Sequence, residues 1–168
     1  GEADLLLACD AVVGVAGNSL KTLSKNKSQA IINIDVDPVG VVGFGNGTTV
    51  PEKVIFSRLE KFLDSKKFST YNIQQICESL MGNKVTANVM MLGIALQKGM
   101  IPISVASVEK ALTLNGASVQ ENLIALNWGR WLAYDKQYVL EVSGYNKVSS
   151  MNTGQENAGI EELLNAFS

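Results

Sequence analysis

Residues 82–135 read GNKVTANVMMLGIALQKGMIPISVASVEKALTLNGASVQENLIALNWGRWLAYD, and the punctuation of this stretch decides how the chain folds. After Gly82, Asn83 is placed to cap a helix, because its side-chain oxygen can accept from a first-turn N–H that has no partner in the helix. Val85, Val89, Leu92 and Leu96 then recur at helical spacing. Met90, Met91, Ile94 and Ala95 widen that stripe until little polar surface is left before Gln97 and Lys98. Such a helix is expected to be buried on most sides.

Gly99 interrupts the pattern, and Pro102 opposes its continuation, since proline restricts the residue before it and has no N–H to donate. Ser104 can cap a second helix, with Val108, Ala111 and Leu112 on one face. Asn115 and Gly116 supply its left-handed stop. Ser118 can cap a third helix, in which Val119, Leu123 and Leu126 form one face and Ile124, Trp128 and Trp131 a neighbouring one.

Two runs in this stretch form ordered motifs. N-x-x-x-L-G-x-A-x-Q-x-G-x-x-P-x-S falls on Asn88, Leu92, Gly93, Ala95, Gln97, Gly99, Pro102 and Ser104. A-L-x-L-N-G-x-x-V-x-x-N-x-x-A-x-x-W-G-R-W falls on Ala111, Leu112, Leu114, Asn115, Gly116, Val119, Asn122, Ala125, Trp128, Gly129, Arg130 and Trp131. Together they resemble the end of the gamma-type domain of 2-oxoacid:ferredoxin oxidoreductases, closest to the fused indolepyruvate type. A weaker match upstream, ADLLLACD at residues 3–10 and a second strand ending in Asn33, extends the resemblance over residues 1–135, about four fifths of the chain.

The resemblance implies a role inside a larger oxidoreductase. Enzymes of this family decarboxylate a 2-oxoacid on thiamine diphosphate and magnesium, pass electrons through iron–sulfur clusters to ferredoxin, and release the acyl group to coenzyme A. Those cofactor sites lie on other domains. The gamma-type domain is non-catalytic; it packs against the thiamine-binding parts and helps shape access for substrate or coenzyme A. For this chain the implication is no catalytic residue, no metal, no cofactor of its own and no activity alone. Its partners would be the thiamine-binding domains or subunits of the same enzyme, with ferredoxin serving the whole.

Composition agrees with that division of labour. A formal charge of −2, with lysines scattered among acidic residues, gives no reason to expect nucleic acid as a partner. There is no histidine, and Cys9 and Cys77 stand far apart without a CxxC pair. A cysteine–histidine zinc site, an iron–sulfur cluster and a histidine-based triad therefore lack their parts, as does a GDG-type thiamine motif. No apolar run reaches the length of a membrane span, because Thr86 and Asn88 interrupt the longest. Two unpaired cysteines suit a reducing cytoplasm.

The expected fold class is α/β: a three-layer, mostly parallel, Rossmann-like sheet followed by a C-terminal helical run. Residues 3–9 form either a short helix or a buried strand, and AVVGVA at 11–16 is expected as an interior strand of a parallel sheet. Gly17, Asn18 and Ser19 switch the chain into a helix around Leu20 and Leu23, and QAIINID at 29–35 is the next strand. Residues 35–49, DVDPVGVVGFGNGTT, read as loop or hairpin. Their Gly43, Gly45, Asn46 and Gly47 are anion-loop candidates, since such glycines aim backbone N–H groups at a phosphate. The spacing departs from the dinucleotide fingerprint, however, so a plain turn is the competing account. Pro51 and Glu52 open a helix through Val54, Ile55, Leu59 and Phe62. Residues 68–73 read as a strand, and Ile76, Leu80 and Met81 as a helical turn or two.

Residues 137–142 have strand propensity, 144–159 are polar and aperiodic, and 160–167 can form a small helix. The domain reading is thus 1–135 for the gamma-type part and 136–168 for a linker or appendage. The family's domain opens with a strand and a glycine-rich turn upstream of ADLLL. The chain accordingly reads as part of a larger polypeptide, whose incomplete sheet is expected to self-associate in isolation.

Five polar or aromatic side chains are interface candidates: Asn88, Asn122, Trp128, Arg130 and Trp131. The asparagines either cap helices and satisfy backbone groups or meet a partner domain. Arg130 can stack on an indole and pair with a carboxylate, either holding helices together or gripping an acidic group of a partner. The tryptophans either fill a core or mark an interface. Two other function classes stay open: a nucleotide- or coenzyme A-binding module that uses the Gly43–Gly47 run, and an assembly domain with no ligand.

Overall fold

The computed structural model describes residues 2–35 and 52–145. The chain is an α/β protein, with a three-stranded parallel sheet and flanking helices followed by a helical run. The described residues fall into two compact units, divided between Tyr71 and Asn72. The glycine run at Gly43, Gly45, Asn46 and Gly47 and the helix expected at 160–167 lie outside the described residues.

In the first unit, β1 (Leu5–Ala8), β2 (Gln29–Asn33) and β3 (Phe68–Tyr71) pair in that order. Leu6 lies opposite Ala30 and Ala30 opposite Phe68, while Ala8 lies opposite Ile32. Side chains alternate across a strand, so these residues share one face. Onto it pack α1 (Ala11–Gly14), α2 (Gly17–Leu20) and α3 (Glu52–Leu59), through Ala11, Val15, Leu20, Ile55, Leu59 and Leu63. Asn33 fastens the carboxyl ends of the first two strands: its Nδ2 donates to the Cys9 carbonyl at 3.1 Å and its Oδ1 accepts from Asp35 N–H at 3.1 Å.

The run at 11–16 is helical at its start, not a strand. A two-residue link from β1 could not have delivered a parallel neighbour, which needs a crossover of a dozen residues or more. Asp10 instead accepts from Val13 N–H at 3.1 Å, and Ala11 and Val15, one turn apart, are buried while Val13 is 66% exposed. Short apolar runs of this kind are ambiguous by periodicity, and here capping and packing override β-branched propensity. Gly14 permits the approach of α1 to the sheet, since a Cβ there would stand 2.5 Å from the Ala8 Cβ.

The second unit contains α4 (Ile73–Met81), α5 (Ala87–Gln97), α6 (Val105–Asn115), α7 (Val119–Tyr134) and α8 (Lys136–Ser143). The expected burial of the first long helix is observed: Met90, Met91, Ile94 and Ala95 of α5 are fully buried. Each large side chain of this kind contributes roughly 1.5–3 kcal/mol when removed from water. Ser104 caps α6, accepting from Ser107 N–H at 3.1 Å, and Gly116 closes it at φ 75°. The buried side of α6 runs through Val105, Val108 and Leu112, whereas Ala111 is exposed.

Three local expectations change. Asn83 does not cap α5, which starts four residues later; its Oδ1 accepts from Val85 N–H at 3.0 Å, and Val85 is 81% exposed. Ser118 precedes α7 in the left-handed region, at φ 43°, with no side-chain capping bond. Asn122 reaches back instead, its Nδ2 donating to the Ala117 carbonyl at 3.0 Å. Finally, 137–142 is helix rather than strand. Asp135 accepts from Tyr138 N–H at 3.0 Å, Gln137 bonds Glu141 one turn on, and Val139 is fully buried. The resulting α8 packs against α4 and α7, so residues 136–143 belong to the second compact unit.

Candidate docking site

The site is built on the close packing of α5 and α7. A Cβ on Gly93 would lie 2.2 Å from the Leu126 carbonyl oxygen, and one on Gly129 would lie 1.8 Å from that of Met90. Both obstacles are backbone atoms, which cannot step aside as a flexible side chain can. Each glycine thus meets the helix that carries the other, at the residue three positions before it. Ala125, Leu126, Gly129 and Leu132 form the buried side of α7.

That seam fixes which residues of α7 face outward. Ile124, Asn127, Trp131 and Tyr134 are exposed and lie at helical spacing on one side, with Trp128 and Arg130 partly buried beside them. Arg130 is held at two points. Its Nε donates to Gln97 Oε1 on α5 at 3.1 Å, and its Nη1 donates to Asn127 Oδ1 one turn back at 3.0 Å. Gln97, Asn127, Arg130, Trp131 and Tyr134 line an open cleft of about 210 Å³. The Trp131 ring meets Tyr134 edge-on at 5.7 Å and Tyr138 of α8 at 5.8 Å.

Of the five sequence-predicted interface residues, the structure brings Arg130 and Trp131 into this cleft, and Trp128 lies on the adjoining flank of α7. Asn88 is exposed, but at the opposite end of α5 from Gln97, about 13 Å along the axis at 1.5 Å per residue. Asn122 is engaged with the Ala117 carbonyl, which favours the backbone-satisfying account for that residue. Tyr134 and Tyr138 were missed. The signal for Tyr134 was present in the spacing of 127, 131 and 134, whereas Tyr138 joins only because α8 is a helix.

Arg130 thus joins α7 to α5 through Gln97, and both of its hydrogen-bond partners are neutral amides rather than carboxylates. Ion pairs among the described residues include Lys25–Asp64, Lys27–Asp4 and Lys84–Glu78, each between exposed side chains. The two thiols lie elsewhere. Burial pushes the Cys77 thiol pKa up, against a lowering influence from its contact with Thr86 Oγ1 at 3.5 Å, and Cys9 is also raised by burial. Among the described residues no cluster of three or more His, Cys, Asp or Glu side chains is disposed to hold a metal, and no helix is long and apolar enough to cross a membrane.

A second depression, about 410 Å³, runs along α3 between Glu52, Lys53, Phe56, Ser57 and Glu60. Its described walls come from α3 and Glu60 just after it, so among the described residues it offers no groups converging from different elements. Comparison of the chain with family models, with curated proteins and with solved structures finds no match.

Proposed function

We propose that this chain is a non-catalytic docking domain of a thiamine-diphosphate-dependent 2-oxoacid:ferredoxin oxidoreductase, of the indolepyruvate-like type. The complete enzyme would decarboxylate a 2-oxoacid to an acyl-coenzyme A and pass electrons to ferredoxin in the cytoplasm. Thiamine diphosphate, magnesium and the iron–sulfur clusters would be held by its other parts. The contribution of this chain is a surface on which the thiamine-binding part seats.

The observation that carries the reading is the meeting of the two motif runs in space. Gly93 and Gly129 occupy the seam between α5 and α7, Gly99 and Gly116 end helices at φ 67° and 75°, and Ser104 caps α6. Gln97 and Arg130, one from each run, are hydrogen-bonded to each other at the surface. The first group supports the helical frame, and the pair left over faces outward beside exposed aromatics, as a docking surface requires. The sheet supports the expectation of self-association, because β1 and β3 are its two edges among the described residues.

The test is co-purification of the full chain with the thiamine-diphosphate-binding polypeptide encoded around it, followed by assay of 2-oxoacid-dependent dye reduction. The expected result is a stable complex, activity in the complex and none in the chain alone. A surrounding reading frame without a thiamine-binding region would overturn the proposal. So would saturable binding of ADP or coenzyme A that is lost on Gly45→Val, which would instead support a nucleotide-binding module. Light scattering of the chain alone checks self-association, and a monomer at moderate concentration would contradict it.

A further inference from the structure

We infer that the cleft on α7 is a receptor for a carboxylate side chain carried on an apolar segment of a partner protein. The inference rests on reading the chain as a docking domain, and it adds the chemistry of the group that docks.

A guanidinium has five N–H donors. In Arg130 one on Nε and one on Nη1 are committed to Gln97 and Asn127, which leaves three open. Those three lie on the terminal nitrogens, the edge that takes a carboxylate through two parallel bonds. The two amides orient the fork without neutralising it, and among the described residues no carboxylate forms an ion pair with Arg130. The cation is therefore aimed, charged and uncompensated. Because its geometry is already fixed by α5 and α7, little side-chain freedom remains to be lost when an anion binds.

The surroundings choose among anions. Among the described residues lining the cleft, Arg130 is the only cation. A dianionic phosphate calls for several donors of positive charge, whereas a monoanionic carboxylate is matched by one fork. Trp131 is 49% exposed, Tyr134 75% and Tyr138 47%, and the Trp131 ring meets Tyr134 edge-on and Tyr138 in a tilted contact. Rigid aromatics around an arginine are the composition of an interface hot spot, in which apolar contacts exclude water from the charged pair. The ligand is accordingly a Glu or Asp flanked by apolar side chains.

The experiment uses the full chain labelled with ¹⁵N and follows the Arg130 Nε–H and Trp131 indole N–H resonances. The probes are the peptide acetyl-Gly-Leu-Glu-Phe-Gly-amide, its Gln counterpart, and inorganic phosphate. The expected result is a saturable shift of both resonances with the Glu peptide and affinity lower by about tenfold or more for the Gln peptide and for phosphate. Arg130→Gln should abolish the shift at Trp131 while melting stays within about 2 °C of the parent, as for a surface substitution. Arg130→Lys should weaken binding about tenfold, because an ammonium cannot reproduce the fork.

Equal binding of the Glu and Gln peptides, tighter binding of phosphate, or no saturable shift would overturn the inference. So would self-association of the chain that Arg130→Gln abolishes, since a second copy would then be the occupant. The peptide arm involves this chain alone. Saturable Glu-peptide binding without co-purification of a thiamine-binding partner would sink the family reading and leave the receptor standing. Co-purification without peptide binding would do the reverse.

Discussion

The two compact units solve the same packing problem in opposite ways. The first covers a small parallel sheet with helices of four, four and eight residues, each brought down by a few buried side chains such as Ala11, Leu20 and Ile55. The second packs an eleven-residue helix against a sixteen-residue one, and there the closest approach is made where side chains are missing. In the sheet unit, specificity lies in the register of strands and in single capping residues. In the helical unit it lies in two glycines whose positions dictate what faces solvent. A functional surface is easier to hold on the second kind of frame, because long interlocked helices fix side-chain directions over several turns.

The sharpest way to break this comparison is to add one methyl group to each unit. Gly129→Ala drives a Cβ to 1.8 Å from a backbone oxygen, and Gly93→Ala to 2.2 Å. Each should destabilise the chain by about 3 kcal/mol or more in urea titration, at the upper end of overpacking costs. Gly14→Ala meets only the Ala8 Cβ at 2.5 Å and should cost less, about 1–3 kcal/mol. If Gly14→Ala proved the most damaging of the three, the account of α5 and α7 as the stiffer frame would fail.

The two caps provide a closer match between the units. Asp10→Ala and Ser104→Ala each remove a bond of 3.1 Å to a first-turn N–H, and each should cost about 1 kcal/mol. A loss at Asp10 near zero would show that the four-residue α1 is held by packing alone.

The thiols sharpen the contrast by reactivity. Cys9 is exposed and Cys77 is fully buried, so a disulfide reagent should label Cys9 in the native chain and Cys77 only on unfolding. Because the folded-state pKa of Cys77 is raised, chiefly by burial, folding favours its thiol form. Below the unfolded thiol pKa of about 8.5 this makes no pH-dependent difference. Above it the unfolded state loses its proton first, and stability falls as pH rises. Urea titrations should show the gap between wild type and Cys77→Ala narrowing between about pH 8 and pH 10. An effect of opposite sign is expected at Ser118, the only described non-glycine residue with positive φ. Ser118→Gly should stabilise by about 1 kcal/mol, or 2–4 °C in melting temperature.

Legibility in the sequence followed the same division. The stops at Gly99 and Gly116, the Ser104 cap and the all-round burial of α5 could be read because helix punctuation is local and acts through one or two residues. The run at 11–16 reads as a strand and residues 137–142 have strand propensity, yet Ala11–Gly14 and Lys136–Ser143 are helical. Both are short and rich in β-branched or aromatic residues, and in both a neighbouring aspartate, Asp10 or Asp135, supplied the cap that tipped the chain into helix. The site was half legible. Arg130 and Trp131 stood out by their chemistry, but the amide pair that orients the guanidinium depends on Gln97 lying across a helix seam. The close packing of α5 and α7, with glycines at the contact, brings Gln97 there.

Glycines 93 and 129 set the close approach of α5 and α7, and Arg130 is the proposed recognition residue on that frame. The most direct test is the affinity of the full chain for the thiamine-diphosphate-binding partner proposed for it, measured by sedimentation for the parent and for Arg130→Gln, with melting curves of both. The expected outcome is a loss of affinity of tenfold or more with melting unchanged within about 2 °C. Undiminished affinity in Arg130→Gln, or a drop in melting temperature as large as that of Gly129→Ala, would contradict it.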